Sequence, residues 1–505
     1  MKLFKKLASF ILAFAMVMAI AMPSVVMADD NYTITITPTT SDHTYEAYQI
    51  FEGTLSNDGK LGDIKWGNAI TEDGKTALLE EYKAKDAADL AEKLSKFDSK
   101  SDDIKAFAKK VSKYLQHPKT AKAVEDTATI TVDKAGYYLI KDQDNSLDKN
   151  DETKNDETYT EFILKVVKNQ TVAPKSSKPT SEKKVKDIND SEGTTMTDWQ
   201  DSADWDIGDK VPFQLKGTVA ADFDNYTVYK MTFHDHESTG LTFDSTSVEV
   251  KVDGKVVNSG YEVVTDGLKD GCTFEVRFAD LKKVSGVKAG SIITVEYKSE
   301  LNEHAVIGSD GNPNTMHMEF SNNPNDDQGG ETGKTPDDKV IVFTYKTVVN
   351  KVNPGQEPLE GALFTLEKRV GENEWVKKAV VKNTAGTTFT FEGLDDGVYR
   401  LEETQTPAGY NTMNPNPLVF TISATHETTA ANPRLLNLSG TPKSGKVTFK
   451  DNLVDGSLTT NIVNKSGSSL PETGGMGTTV LYAAGTLMIL AAAAFLVMKK
   501  KAESK

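Results

Sequence analysis

Beyond Lys178 the chain loses helical periodicity and becomes a series of short runs rich in Val, Thr, Tyr and Phe, broken by Asp-Gly, Asn-Ser-Gly and Asp-Asp-Gly turn signals. A helix aligns residues three and four apart, whereas a strand alternates its faces, so this texture can bury its apolar side chains only between sheets. Residues 183 to 322 and 343 to 464 each have the length and turn spacing of one immunoglobulin-like β-sandwich. The expected fold is mainly β, with two tandem β-sandwiches following an α+β N-terminal domain.

That first domain, from about Asn31 to Gln170, mixes both periods. Tyr32 to Ile36 alternates as a half-buried strand does, and Gly136 to Asp142 and Glu161 to Val167 are further strand candidates. Ile104, Phe107, Ala108, Val111, Tyr114 and Leu115 follow one helical face, and Leu78, Leu79, Tyr82, Leu90 and Leu94 do so less regularly. The acidic stretch Asp148 to Glu157 lacks the glycine and glutamate spacing of a calcium loop and reads as a solvated loop.

Both ends carry processing signals. Lys2, Lys5 and Lys6 precede an apolar run from Leu7 to Met22, and Val26-Met27-Ala28 offers small residues to a signal peptidase, placing cleavage after Ala28. Thr479 to Met498 is apolar and long enough as a helix to cross a bilayer core of roughly 30 Å. Lys499, Lys500 and Lys501 then hold the extreme C-terminus inside, leaving the body of the chain outside. The mature ectodomain keeps 51 of 58 basic and 73 of 74 acidic residues, since seven and one fall in the processed ends, and so carries a net charge near −22. Such a surface excludes nucleic acid, whose binding needs basic patches that displace counterions. Cys272 stands alone, so no intrachain disulfide can stabilise this exported chain.

Leu470-Pro471-Glu472-Thr473-Gly474, the spanning helix and the basic tail together resemble the cell-wall sorting signal of Gram-positive surface proteins. The resemblance implies that a sortase cysteine attacks between Thr473 and Gly474, that Thr473 becomes an acyl donor, and that residues 474 to 505 are discarded. Further upstream, Lys351-Val352-Asn353, Pro358 to Leu366, Gly397-Val398-Tyr399-Arg400-Leu401-Glu402-Glu403-Thr404 and Pro407-Ala408-Gly409-Tyr410 resemble the B-type repeat domain of collagen adhesins and pilins (Cna B-type). In that family a glutamate promotes an internal amide bond. Mapped onto this chain, the acid is Glu403, the amine Lys351 and the amide partner Asn464, which shares a strand face with Leu458, Thr460 and Ile462.

The residue set suits the chemistry. Burial strips the proton from a lysine and restores one to a carboxyl group, so a neutral amine meets a neutral acid. The amine can then attack the carboxamide carbon while the acid polarises the oxygen and shuttles protons, releasing ammonia. Orientation within a packed core supplies up to about 7–11 kcal/mol of the barrier, and no cofactor is required.

The middle domain opens with Pro179 to Val185, contains Phe233-His234-Asp235 and Gly240-Leu241-Thr242-Phe243, and closes with Phe320 to Asn325, resembling the isopeptide-forming central domain of major pilins. Val185 points inward, which favours Lys183 over its neighbour Lys184 as the amine without excluding the latter. Met316, Met318 and Phe320 place Asn322 inward as the amide partner, and Asp235 is the candidate acid. His234-Asp235-His236 is not expected to bind metal, because adjacent strand residues face opposite ways and no third ligand cluster is evident. Each crosslink would close a loop of more than one hundred residues and contribute on the order of 4–5 kcal/mol, taking the place of disulfides.

At the first junction Phe162 to Val167 leads into Thr171-Val172-Ala173-Pro174-Lys175, which resembles the pilin motif, with Ala173 in place of the family's residue before proline. The resemblance makes Lys175 the nucleophile that accepts the next subunit, and Pro174 suits an exposed lysine on a linker. The whole chain is thereby similar to a sortase-assembled backbone pilin. The domains expected are a signal peptide (1–28), an N-terminal α+β domain (29–172), a central sandwich (173–338), a Cna B-type sandwich (339–466) and a sorting signal (467–505) with a transmembrane helix at 479–498. The implied function is structural, that of a sortase substrate polymerised from Thr473 to Lys175 and anchored to peptidoglycan. The implied partners are sortase, other copies of the chain and minor pilins, with a host surface ligand left open. A wall-anchored monomeric adhesin or an ancillary pilin is the alternative; neither needs both a donor threonine and an acceptor lysine.

Overall fold

The computed structural model describes residues 31–41, 43–98, 101–147, 156–268, 270–377, 380–381, 386–467 and 476–502. The leader with Ala28, most of the acidic 148–157 stretch and the Leu470–Gly474 motif lie outside the described residues.

In the first domain the long strand Thr44–Leu55 pairs with Leu61–Trp66, Lys119–Lys122 and Gly136–Asp142, and Glu161–Val166 completes a five-stranded sheet. A three-stranded sheet sets Tyr32–Ile36 between Ala128–Val132 and, in parallel, Gln170–Val172. Three short helices, Glu72–Glu81, Ala87–Leu94 and Asp102–Val111, start at Thr71, Asp86 and Ser101, whose side chains accept from the backbone N–H of Gly74, Asp89 and Ile104. Phe107, Val111, Leu78 and Leu90 pack them against Ile50 and Phe51. The helical face expected from Ile104 to Leu115 ends earlier: the α-helix stops at Val111, tightens into a 3₁₀ turn and releases Leu115 in an extended conformation, where Ile70 bridges to it.

The second domain is a two-sheet sandwich. One sheet runs Lys255–Val257, Leu241–Val252, Ile292–Leu301, Lys210–Thr218, Thr180–Val185, and the other runs Ser202–Asp204, Asp338–Phe343, Asn312–Ser321, Met231–Glu237, Phe274–Phe278, Glu262–Val264, with Thr332–Lys334 added to Asn312–Ser321. Alternating inward residues such as Phe213, Leu215, Val295, Met231, Phe233 and Met318 fill the space between them. The junction expected at 338/339 falls five residues later, because Asp338–Phe343 pairs with Asn312–Met316 and buries Val340 and Val342 in this core.

The third domain is a second sandwich. Tyr345–Val352 lies between Thr388–Leu394 and Ser457–Val463 in one sheet, and Leu363–Val370, Gly397–Gln405, Leu418–His426 and Leu435–Pro442 follow in order in the other. Its opening strand runs parallel to its closing one, with Lys351 beside Ile462. A final helix, Met476–Ala502, contains the segment Val480–Ala502, which is long and apolar enough to cross a membrane.

Candidate functional site

Four lysines are buried among the described residues: Lys141, Lys183, Lys351 and Lys368. Their surroundings separate amines that can react from amines that only pair.

Lys351 sits on the strand Tyr345–Val352 with its side chain sealed from solvent. Its Nζ donates to the Ile462 carbonyl at 3.1 Å and lies 3.6 Å from Glu403 Oε1. Asn464, one residue beyond the closing strand, donates through Nδ2 to that same Oε1 at 2.7 Å. Glu403 is fixed from the other side, because its Oε2 accepts the Met413 backbone N–H at 2.7 Å. Burial lowers the Lys351 amine to about 8, with Glu403 opposing the shift. The Asn464 Oδ1 is buried with no donor. Amine, acid and amide therefore converge on one carboxylate oxygen.

The second sandwich repeats the arrangement, with one residue in an unexpected place. Lys183 is fully buried and ion-paired with Asp235, and its Nζ donates to the Tyr297 hydroxyl at 2.9 Å. That hydroxyl donates to Asp235 Oδ2 at 2.9 Å and accepts from Asn314 Nδ2 at 3.0 Å. Burial lowers the Lys183 amine and raises the Asp235 carboxyl group. Lys184 lies on the other face, paired with Asp201 and Glu182.

Asn322 is not at this site. Its Nδ2 donates to the Glu157 carbonyl at 3.1 Å and its carbonyl accepts from the Tyr159 N–H, so its burial comes from the joint with the first domain. Asn314 faces the same way, eight residues earlier, and is fully buried with Oδ1 unpartnered. The register explains the correction: Asp235 stands opposite Met316 and Glu237 opposite Asn314, whereas Met231 at the far end of that strand stands opposite Phe320. Glu237, which the sequence did not single out, lies 3.5 Å from Asn314 Nδ2, and burial beside Asp235 raises its carboxyl group to about 8.

Lys368 is the counterexample. It is sealed among Asp190, Asp206 and Asp395 at the contact between the two sandwiches, with Nζ 2.6 Å from Asp190 and 3.0 Å from Asp206. Despite its burial these carboxylates raise its pKa, so it stays an ammonium, and the contacts of its Nζ are carboxylates where those of Lys183 and Lys351 lead to an asparagine amide. Lys141 pairs with Asp144 at 2.8 Å.

Lys175 lies on the linker between Gln170–Val172 and Thr180–Val185, and its side chain is exposed. Its backbone N–H donates to Thr160 Oγ1 at 2.8 Å, and its Nζ stands 5.6 Å from the centre of the Phe162 ring. The aromatic residue of the preceding strand thus holds the lysine against the first domain.

Residues 207–324 match the family described as Gram-positive pilin backbone subunit 2, Cna-B-like domain; residues 346–434 match the prealbumin-like fold domain SpaA; residues 462–505 match the LPXTG cell wall anchor motif. The chain is 25% identical to the trypsin-resistant surface T6 protein of Streptococcus pyogenes serotype M6 over 412 residues, covering 69% of this chain and 73% of that protein. The solved structure of the T6 backbone pilin, described as a modular three-domain structure, superposes with a TM-score of 0.53 at 19% identity, covering 88% of this chain and all of the other. The full-length major pilin SpaD of Corynebacterium diphtheriae superposes with a TM-score of 0.48 at 18% identity, covering 89% of this chain and all of the other. The fold and anchor define a cell-wall-anchored surface protein whose precursor is membrane-bound. Within that class its second sandwich is similar to the Cna-B-like domain of Gram-positive pilin backbone subunits.

Proposed function

We propose that this chain is the shaft subunit of a covalently polymerised pilus, in which sortase joins Thr473 of one copy to the Lys175 amine of the next. The observation that carries this reading is Lys175 itself, exposed on a linker and clamped by Thr160 at the junction of the first two domains, on a chain that also carries an anchor motif. A monomeric adhesin needs the anchor and has no use for the presented amine. Wall attachment is then the fate of the copy at the base, where peptidoglycan replaces Lys175 as acceptor.

Within each subunit, Lys351 joins Asn464 and Lys183 joins Asn314, promoted by Glu403 and Asp235. In each reaction the amine nitrogen attacks the carboxamide carbon, the C–N bond to Nδ2 breaks, and the acid carries a proton to the departing ammonia. Each event happens once, so the chain is not a turnover enzyme. Minor pilins remain the natural partners at either end of the shaft, and a host ligand stays an open partner. Lys175→Ala, expressed with its cognate sortase, is expected to abolish the high-mass ladder on denaturing gels while wall-attached monomer persists. A ladder that survives would refute the acceptor assignment.

A further inference from the structure

The larger sheet of the second sandwich carries, on the face away from the core, a set of donor side chains that the crosslinking chemistry does not use. His234 alternates with the inward Phe233 and Asp235 and is 9% exposed. Glu275 stands directly opposite it on the neighbouring strand Phe274–Phe278, and Asp270 and Cys272 occupy the loop that leads into that strand. One nitrogen, one sulfur and two carboxylate oxygens from these four residues all lie within 4.8 Å of one another.

The spacings fit a small cation. Tetrahedral zinc, with bonds of about 2.3 Å to sulfur and about 2.0 Å to nitrogen and oxygen, holds its ligand atoms about 3.3–3.5 Å apart. His234 Nδ1 lies 3.6 Å and Cys272 Sγ 3.8 Å from the same oxygen, Glu275 Oε1. Both separations need to close by only a few tenths of an ångström. Asp270 Oδ2, 2.7 Å from Nδ1, shares with it a proton that a cation would displace. The other oxygen of Glu275 is held by Arg277, which leaves Oε1 aimed at the cluster.

The surroundings are those of a metal-bound imidazole. His234 Nε2 lies 3.4 Å from Glu319 Oε2, the outer carboxylate that fixes the ring and raises the basicity of a ligating histidine. His317 stacks on the ring with centroids 4.6 Å apart and planes 12° apart, restricting its rotation. A donor set containing a thiol and an imidazole selects a borderline-soft ion, whereas calcium and magnesium take oxygen alone.

We propose that His234, Asp270, Cys272 and Glu275 form a binding site for a divalent transition cation of the zinc class. Binding breaks the Cys272 S–H bond, forms a sulfur–metal bond and sends the proton to solvent. The ion would clasp the loop before Phe274 to the strand Met231–Glu237, from the side opposite the Lys183 site. The expectation of no metal at His234-Asp235-His236 rested on the strand's own residues; the missing ligands come from a hairpin some forty residues further along.

The test uses the full chain in detergent, stripped with a chelator and titrated with zinc by calorimetry and with cobalt(II) by absorption. We expect one tight equivalent, a thiolate-to-cobalt charge-transfer band, and protection of Cys272 from alkylation by iodoacetamide when zinc is present. Cys272→Ser should abolish the band, and Glu319→Gln should weaken zinc binding about 10–100-fold. His426→Ala, which alters the separate Asp187/Asp204/His426 group, should leave binding unchanged. Thermal melting of each variant checks that it is folded. No tight equivalent, or one that survives both Cys272→Ser and His234→Ala in folded protein, overturns the proposal, as does one lost in His426→Ala.

Discussion

Asn314→Ala and Asn322→Ala form a matched pair that tests the second crosslink. A bond from Lys183 to Asn314 closes a loop of 131 residues (314 less 183), and the loop-entropy relation gives roughly 5 kcal/mol for that closure. In a sandwich of this size each kilocalorie moves the midpoint by about 2–4 °C, so Asn314→Ala should melt roughly 10–20 °C lower. Asn322→Ala loses a single hydrogen bond to the Glu157 carbonyl, at about 1 kcal/mol a shift of a few degrees. Intact mass under denaturing conditions decides the chemistry separately from the energetics. After correction for the substitution, Asn314→Ala should lack only one ammonia and Asn322→Ala should lack two. The opposite result would show that the crosslink runs to Asn322 and that the hydrogen-bonded cluster around Tyr297 is only a polar core. A mass change without a melting change would leave the bond and remove the entropic account of its effect.

Glu403→Gln should leave the third domain uncrosslinked, one ammonia heavier than the parent after correction, because the remaining amide can neither donate nor accept the proton that the departing ammonia needs. Asn464→Ala exposes the titration of Lys351. With its folded value near 8 and an unfolded value of 10.5, the unfolded chain binds more protons between those limits, so stability should rise with pH from about 8 to 10.5 by roughly 3 kcal/mol, as read by denaturant melts. The crosslinked parent, whose amide does not titrate, should lack that slope. Lys368→Met leaves three carboxylates facing one another at the contact between sandwiches and should cost about 3–5 kcal/mol, while peptide mapping of the parent should find Lys368 unmodified.

Face was legible in the sequence where depth was not. Alternation placed Lys183 and Val185 inward and Leu458, Thr460, Ile462 and Asn464 on one buried face, as the structure has them. Parity repeats every two residues, however, so Asn312, Asn314 and Asn322 all satisfied it, and only the register against Met231–Glu237 tells which of them lies beside Asp235. The polar signal that could have helped was Glu237, an acid at an inward position two residues after Asp235, which marks where the buried polar cluster continues. Contacts between segments distant in the chain left less trace. Lys368 reads as an ordinary strand lysine, and its three partners come from two domains. His234 and Cys272 likewise meet only because two strands pair.

The parallel pairing of Tyr345–Val352 with Ser457–Val463 has a further consequence for a fibre under tension. Chain entry and exit lie at opposite ends of the third sandwich, and a Lys351–Asn464 bond sits next to the exit. A pull on the shaft would then travel along six or seven residues of the opening strand, across the joined Lys351 and Asn464 side chains, and out. The 112 residues between the two bonded positions would be held off the line of load (464 less 351, less one). At about 3.3–3.6 Å per residue they represent close to 40 nm of contour that an unlinked domain would pay out on rupture. Each linked third domain would withhold that slack from the fibre.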